Sequence, residues 1–184
     1  MAHGKMAELM GDPTARLAGR MTLNPLPHID PIGTLFPILL LLSGSPIIFG
    51  WAKPVPINPY NFSNYNRGMT AVSAAGILTN LFIAWVLALL FKFLPGIDPT
   101  FAGALLFGVR INVVLAVVNL IPIPPLDGSR LFASFLSYKY QELMHRIEPY
   151  GFMILIAILI FPPTEFLLNY ISNFVYNLLL LRPF

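Results

Sequence analysis

The chain has 184 residues, of which 57% are hydrophobic and only 10% charged, against about 25% charged in an ordinary soluble domain, so water is not its main solvent. Its net charge of +3 comes from basic residues scattered between oily runs rather than from the dense cluster of a nucleic-acid footprint, and no nucleic-acid partner is expected. With no cysteine, disulfides, thiolate catalysis and cysteine-held zinc or iron–sulfur centres are excluded, and any metal must be held by imidazole, carboxylate or carbonyl groups.

The opening MAHGKMAELMGDPTARLAGR has no apolar stretch between its charges and does not read as a signal peptide, so membrane insertion is expected to use internal spans. Residues 31–51, PIGTLFPILLLLSGSPIIFGW, form a first apolar segment broken by Pro37 and Pro46, which reads as one kinked helix or a re-entrant pair. The next stretch, GWAKPVPINPYNF at 50–62, carries Pro54, Pro56 and Pro59 and is expected to be extended, an edge strand or hairpin near the membrane surface. Residues 69–94 are uncharged from Met69 to Phe91 and exceed the roughly 20 apolar residues a span needs. Ser73, Gly76 and Asn80 give the first half of this span a small, polar strip suited to helix contacts. A third span is expected over 103–123, with Asn112 and Asn119 on one face and Arg110 near its start, able to snorkel. Residues 150–161 are too short to cross alone and are cut by Pro162-Pro163 from 164–181, leaving a broken span or two short helices. The basic residues divide almost evenly between the two sides, so they set no orientation, and no internal repeat is visible. The expectation is an all-α polytopic membrane protein, one membrane-embedded domain over 1–184. It would bundle about four to six transmembrane or re-entrant helices around a short proline-rich extended segment, with the lipid bilayer as its solvent.

The run NLIPIPPLDGSR at 119–130 places Asp127 just past three prolines. Asp127 is read as an N-cap of a helix through Arg130 and Leu136, or as a functional acid. An acid at membrane depth costs roughly 2.5–3.5 kcal/mol on insertion scales and so usually faces a cavity, a partner or a metal. The prolines favour such a cavity, because non-helical backbone at that depth survives only inside protein or against water.

Asn119, Pro122, Leu126, Asp127 and Gly128 resemble the N-x-x-P-x-x-x-L-D-G signature of the site-2 proteases, the intramembrane zinc metalloproteases. GDPTARLAGRMTLNPLPHIDPIGT at 11–34, GWAKPVPINPYNF at 50–62 and EPYGF at 148–152 are similar to the compact bacterial-type branch of that family. The resemblance implies Zn2+ as cofactor and Asp127 as its third protein ligand. The family's H-E-x-x-H motif puts two histidines on one helix face with a glutamate between them. Ala2-His3-Gly4 stands at the family's spacing before Gly11-Asp12-Pro13-Thr14-Ala15, which implies that His3 is the second histidine. The glutamate and first histidine would fall just upstream of Met1, so a catalytic Glu is absent from these residues. Truncation inside the motif and a true loss are both open, and truncation is preferred because the downstream half stays in register. The residues as written are expected to make a very poor protease, with two of three zinc ligands and no carboxylate to take the water's proton.

Asn80, in AAGILTN, resembles the family's A-G-P-x-x-N element, with Ile77 at the usual proline. The resemblance implies a role in positioning substrate or polarising its carbonyl; an interhelical hydrogen bond is the other reading. His28, beside Pro27, reads as a loop hydrogen-bonding group, with a ligand role the lesser reading, and His145 reads as surface. The implied function is zinc-assisted hydrolysis of peptide bonds in transmembrane segments of other proteins, which must unwind locally to expose a carbonyl. The prolyl segment at 50–62 would offer backbone groups to such a strand. The implied location is the cell membrane of a prokaryote, multi-pass. The alternative is a non-catalytic scaffold, a pseudoprotease that binds membrane segments. A small transporter would call for related halves, and none is seen.

Overall fold

A computed structural model describes residues 1–44, 50, 52–94, 96–133, 135–136 and 138–180. Pro46 and the side chain of His145, both assigned from the sequence, lie outside the described residues. The described residues fold into helices and turns with no strand, and the chain divides into two compact units, Met1–Gly68 and Met69–Phe184.

The first unit opens with α1 (Ala2–Leu9) and the single turn α2 (Thr14–Leu17). They approach closely because Gly4 carries no side chain: a methyl group there would stand 3.0 Å from the Cβ of Ala15 and 2.9 Å from the sulfur of Met21. Gly11, at φ 110, makes the bend between them, a backbone geometry that side-chain-bearing residues resist. A 3-10 turn at Leu26–His28 precedes α3 (Pro31–Leu42). Asp30 starts α3 by accepting the Gly33 N–H at 2.9 Å, and Pro31 takes the position whose N–H has no helical partner. The helix passes through Pro37 and stops at Ser43, with Gly44 at φ 73. At 12 residues it rises about 18 Å, short of the roughly 30 Å hydrocarbon core.

Residues 52–58 form neither helix nor strand, and Asn58 at their end is extended. The physical reason is visible in the hydrogen bonds. Pro54 and Pro56 have no N–H to give a ladder. The carbonyls of Lys53 and Pro54 are both taken by the Arg20 guanidinium, each at 2.9 Å. Side chains replace the missing neighbouring strand.

The boundary between the units falls in the first turn of α4 (Tyr65–Phe93), which is followed by α5 (Pro99–Asn119). Both match the expected spans, and both start about four residues earlier because capping groups extend them. Asn64 accepts the Arg67 N–H at 3.0 Å, and Asp98 accepts those of Thr100 and Phe101 at 2.8 and 3.3 Å. These two helices are long and apolar enough to cross a membrane. Only 22% and 28% of their most apolar windows are buried inside the protein, whereas the core helix of a soluble protein hides most of its apolar face. Their buried strips are small and interlocking: Ala84 and Ala88 of α4 share a core with Val109, Val113 and Val117 of α5. In lipid, where apolar contact brings no hydrophobic gain, such small residues permit the close packing that holds helices together.

The chain then makes α6 (Asp127–Ala133), α7 (Tyr138–Ile147), a 3-10 turn at Glu148–Tyr150, α8 (Gly151–Ile160) and α9 (Pro162–Leu180). The C-terminal apolar stretch is therefore two helices divided at Phe161, whose backbone is extended ahead of Pro162. Leu168, Val175, Tyr176 and Leu179 of α9 pack against the Ala–Val core.

Candidate active site

The turn between α5 and α6 is built from backbone. After Asn119 the helix caps at Leu120, and Leu126 N–H reaches back to Ile123 O at 3.0 Å. Asp127 is the first residue of α6, and the N-cap reading is thereby refined: it stands inside the helix start rather than before it. Its carboxylate is half-buried at the positive end of the helix dipole. The next residue is sterically fixed. A methyl group on Gly128 would lie 2.5 Å from the carbonyl oxygen of Ile121 and overlap that of Leu120, so only glycine lets α6 begin against the end of α5. Ser129, buried, locks the same corner by donating its hydroxyl to Leu126 O at 2.7 Å. From outside, Arg130 meets Glu148 at 3.1 Å, tying α6 to the EPYG turn.

Asn80 lies on α4 one turn beyond the buried residues Gly76 and Ile77 and two turns beyond buried Ser73. The helix runs straight through Ile77, so isoleucine at the family's proline position is accommodated. The Asn80 side chain is half-buried and makes no hydrogen bond among the described residues. Asn112 and Asn119 differ: each donates to the carbonyl four residues earlier, Gly108 and Leu115, at 2.9 Å, and so is satisfied inside α5.

His3 is the second residue of α1, half-buried in the first unit, whereas Asp127 and Asn80 belong to the second. His28 places Nε2 3.2 Å from Thr22 O, the loop contact expected of it. An imidazole and a carboxylate suit zinc in kind, yet a catalytic zinc takes three protein ligands. Among the described residues no group of three histidines, cysteines or acids is gathered to hold an ion. The donor set fits in chemistry and falls short in number.

Two residues stand out that their sequence context did not reveal. Asp12 is fully buried and accepts from Asn58 N–H at 2.7 Å, Asn61 Nδ2 at 2.8 Å, and Thr14 N–H at 3.1 Å as well as the Thr14 hydroxyl. Burial pushes its carboxyl up, but the bonds from Thr14, Asn61 and Asn58 outweigh this and hold it below the usual carboxylate range. Arg20, also buried, donates to Pro27 O in addition to the Lys53 and Pro54 carbonyls. Together these two ionised side chains fasten the prolyl segment to the N-terminal helices.

The profile of the family described as "Peptidase family M50" matches residues 97–162, from the Asp98 cap to the start of α9. "Putative zinc metalloprotease YwhC" of Bacillus subtilis is 34% identical over 180 residues, which is 91% of this chain and 77% of that protein. "Putative zinc metalloprotease Rip2" of Mycolicibacterium smegmatis is 30% identical over 162 residues, 87% of this chain and 61% of that protein. "Putative zinc metalloprotease MJ0611" of Methanocaldococcus jannaschii is 36% identical over 92 residues, 46% of this chain and 45% of that protein. No solved structure matches. The chain belongs to peptidase family M50, the site-2 proteases.

Proposed function

We propose that this protein is a zinc-dependent intramembrane protease that hydrolyses peptide bonds in transmembrane segments of other proteins. Both units would form one membrane-embedded protease domain, multi-pass, with four to six membrane or re-entrant helices, in the cell membrane of a prokaryote. The observation that carries this reading is the glycine-locked LDG turn. It holds a half-buried acid at a helix start directly after an apolar helix, in a chain similar along nine-tenths of its length to a protein named as a zinc metalloprotease.

In this reading His3 and Asp127 are two of the zinc ligands. The metal would supply Lewis acidity and an activated water near neutral pH. The remaining ligand and the glutamate base correspond, in the family's motif, to positions just ahead of Met1, and residues 1–184 by themselves are expected to bind zinc weakly and not to cleave. Asn80 has an amide with open hydrogen-bonding capacity beside a buried, small-residue strip, and its role would be to orient the substrate backbone.

The test is made on the protein as its gene encodes it, in native membranes, with a tagged transmembrane reporter. Chelator-sensitive cleavage that disappears with Asp127→Ala supports the reading. Cleavage that survives Asp127→Ala overturns the ligand assignment, and reporter binding without cleavage supports the pseudoprotease scaffold instead.

A further inference from the structure

Arg110 was expected near the start of a span, free to reach water. Because Asp98 and Pro99 begin α5 earlier, Arg110 stands eleven residues from Pro99 and nine from Asn119. At about 1.5 Å per residue this is roughly 14–16 Å from either end of the helix, so an α5 that crosses the roughly 30 Å hydrocarbon core end to end holds this residue at mid-depth. Its side chain is exposed. One N–H goes to Asn173 Oδ1 of α9 at 3.0 Å, and the guanidinium lies 6.0 Å from the centre of the Tyr176 ring. A guanidinium has five N–H donors in a fork that fits a carboxylate, and no carboxylate meets it among the described residues.

The acids whose side chains are described are committed elsewhere. Glu8 holds Lys5 and Arg16, Asp12 its cluster of donors, and Asp30 and Asp98 cap α3 and α5. Glu142 pairs with Arg146 and Glu148 with Arg130, and Asp127 opens α6 with an interaction of its own. Asn173, which meets Arg110, is the middle of three asparagines, Asn169, Asn173 and Asn177, that recur every four residues along α9, giving a strip of amides flanked by exposed Tyr170 and Phe174. Amides on such a strip hydrogen-bond to a neighbouring helix.

We propose that this face, Arg110 of α5 with the asparagine strip of α9, docks a transmembrane helix that carries an aspartate or glutamate at mid-depth. Charge complementarity selects that partner: an ionisable residue inside a membrane is normally paired or faces a polar cavity. A lipid phosphate is the competing anion, and the lipid composition in the test tells the two apart.

The absence of cysteine makes the test clean. A single Gly103→Cys, where an added side chain meets open space, carries a donor dye on the full chain in phosphatidylcholine vesicles. Polyleucine helices with Asp, Asn or Leu at their centre carry the acceptor, and energy transfer is measured at pH 8. The Asp helix is expected to associate at least tenfold more tightly than the Leu helix. Arg110→Leu should erase that preference, and Arg110→Glu should transfer it to a helix with a central Lys. This rescue by charge reversal also shows that the variant is folded. Equal binding of the Asp and Leu helices, or an Asp preference that survives Arg110→Leu, overturns the proposal. Loss of the preference on adding phosphatidylglycerol also overturns it, by assigning the guanidinium to lipid.

Discussion

A methyl group built on Gly151 would sit 2.6 Å from the carbonyl carbon of Pro124 and overlap its oxygen, so the start of α8 meets the prolyl turn ahead of Asp127 backbone against backbone. The obstacle is main chain on both sides and cannot swing away as a side-chain tip would. Overpacking of this kind costs about 1–3 kcal/mol. Gly151→Ala and Gly128→Ala are therefore expected to lower the thermal midpoint in detergent by several degrees, at about 2–4 °C per kcal/mol for a chain of this size. Gly103→Ala, in open space within α5, should leave it unchanged or raise it slightly. Equal midpoints for the three variants would show that the turn yields without cost.

The two long spans were legible because an uncharged run of such length has few folded alternatives. Their starts were misplaced because apolar runs mark where oil begins, whereas helices begin at caps: Asn64 and Asp98 set the true starts, and the shift puts Arg110 near the middle of α5 rather than near its start. The prolines kept 52–58 out of a helix, yet no local pattern says whether such a segment has a neighbouring strand. Here Arg20 supplies the partners from 33 and 34 residues away. The Asp12 cluster was hidden for the same reason, since its Asn58 and Asn61 donors lie 46 and 49 residues along the chain. The LDG element itself was visible, because its glycine and prolines are local steric requirements.

The ion pair between Arg130 and Glu148 lies close to the candidate site but is partly exposed on both sides, and such pairs contribute about 0–1 kcal/mol. Arg130→Met and Glu148→Gln are expected to change the thermal midpoint far less than Gly151→Ala does. A loss as large as that of the glycine variant would mean that the pair, rather than backbone packing, holds α8 in place.

Asp127 has two separable roles, a favourable charge at the start of α6 and, in the proposed function, a metal ligand. A charge at a helix N-terminus contributes about 0.3–1 kcal/mol at an exposed site, and asparagine retains good compatibility with a helix start. Asp127→Asn should thus keep the thermal midpoint within a few degrees while lowering zinc retained per chain, measured by elemental analysis after purification without chelator. His3→Ala should lower zinc similarly and leave the midpoint little changed. Zinc content unaffected by either change would separate both residues from the metal.

Asp12 gives the first unit an acid limb whose sign follows from its environment. Its folded-state affinity for a proton is lowered from the ordinary value of 3.8 by hydrogen bonds that outweigh burial, so ionised Asp12 favours the folded state. That contribution is complete above the unfolded value and disappears as pH falls below about 4 through the depressed folded value. Protonation weakens the bonds from Asn58 and Asn61 that, with those of Arg20, tie the prolyl segment to the N-terminal residues. Cleavage at residues 52–58 by an acid-active protease should therefore rise as pH drops from 5 to 3. Asp12→Ala should raise cleavage at pH 5 to the level of the unmodified chain at low pH, since each buried donor left without an acceptor costs about 1–3 kcal/mol. It should also flatten the pH dependence, because the group that titrates is gone. A pH profile in Asp12→Ala as steep as in the unmodified chain would place the acid sensitivity on another carboxylate.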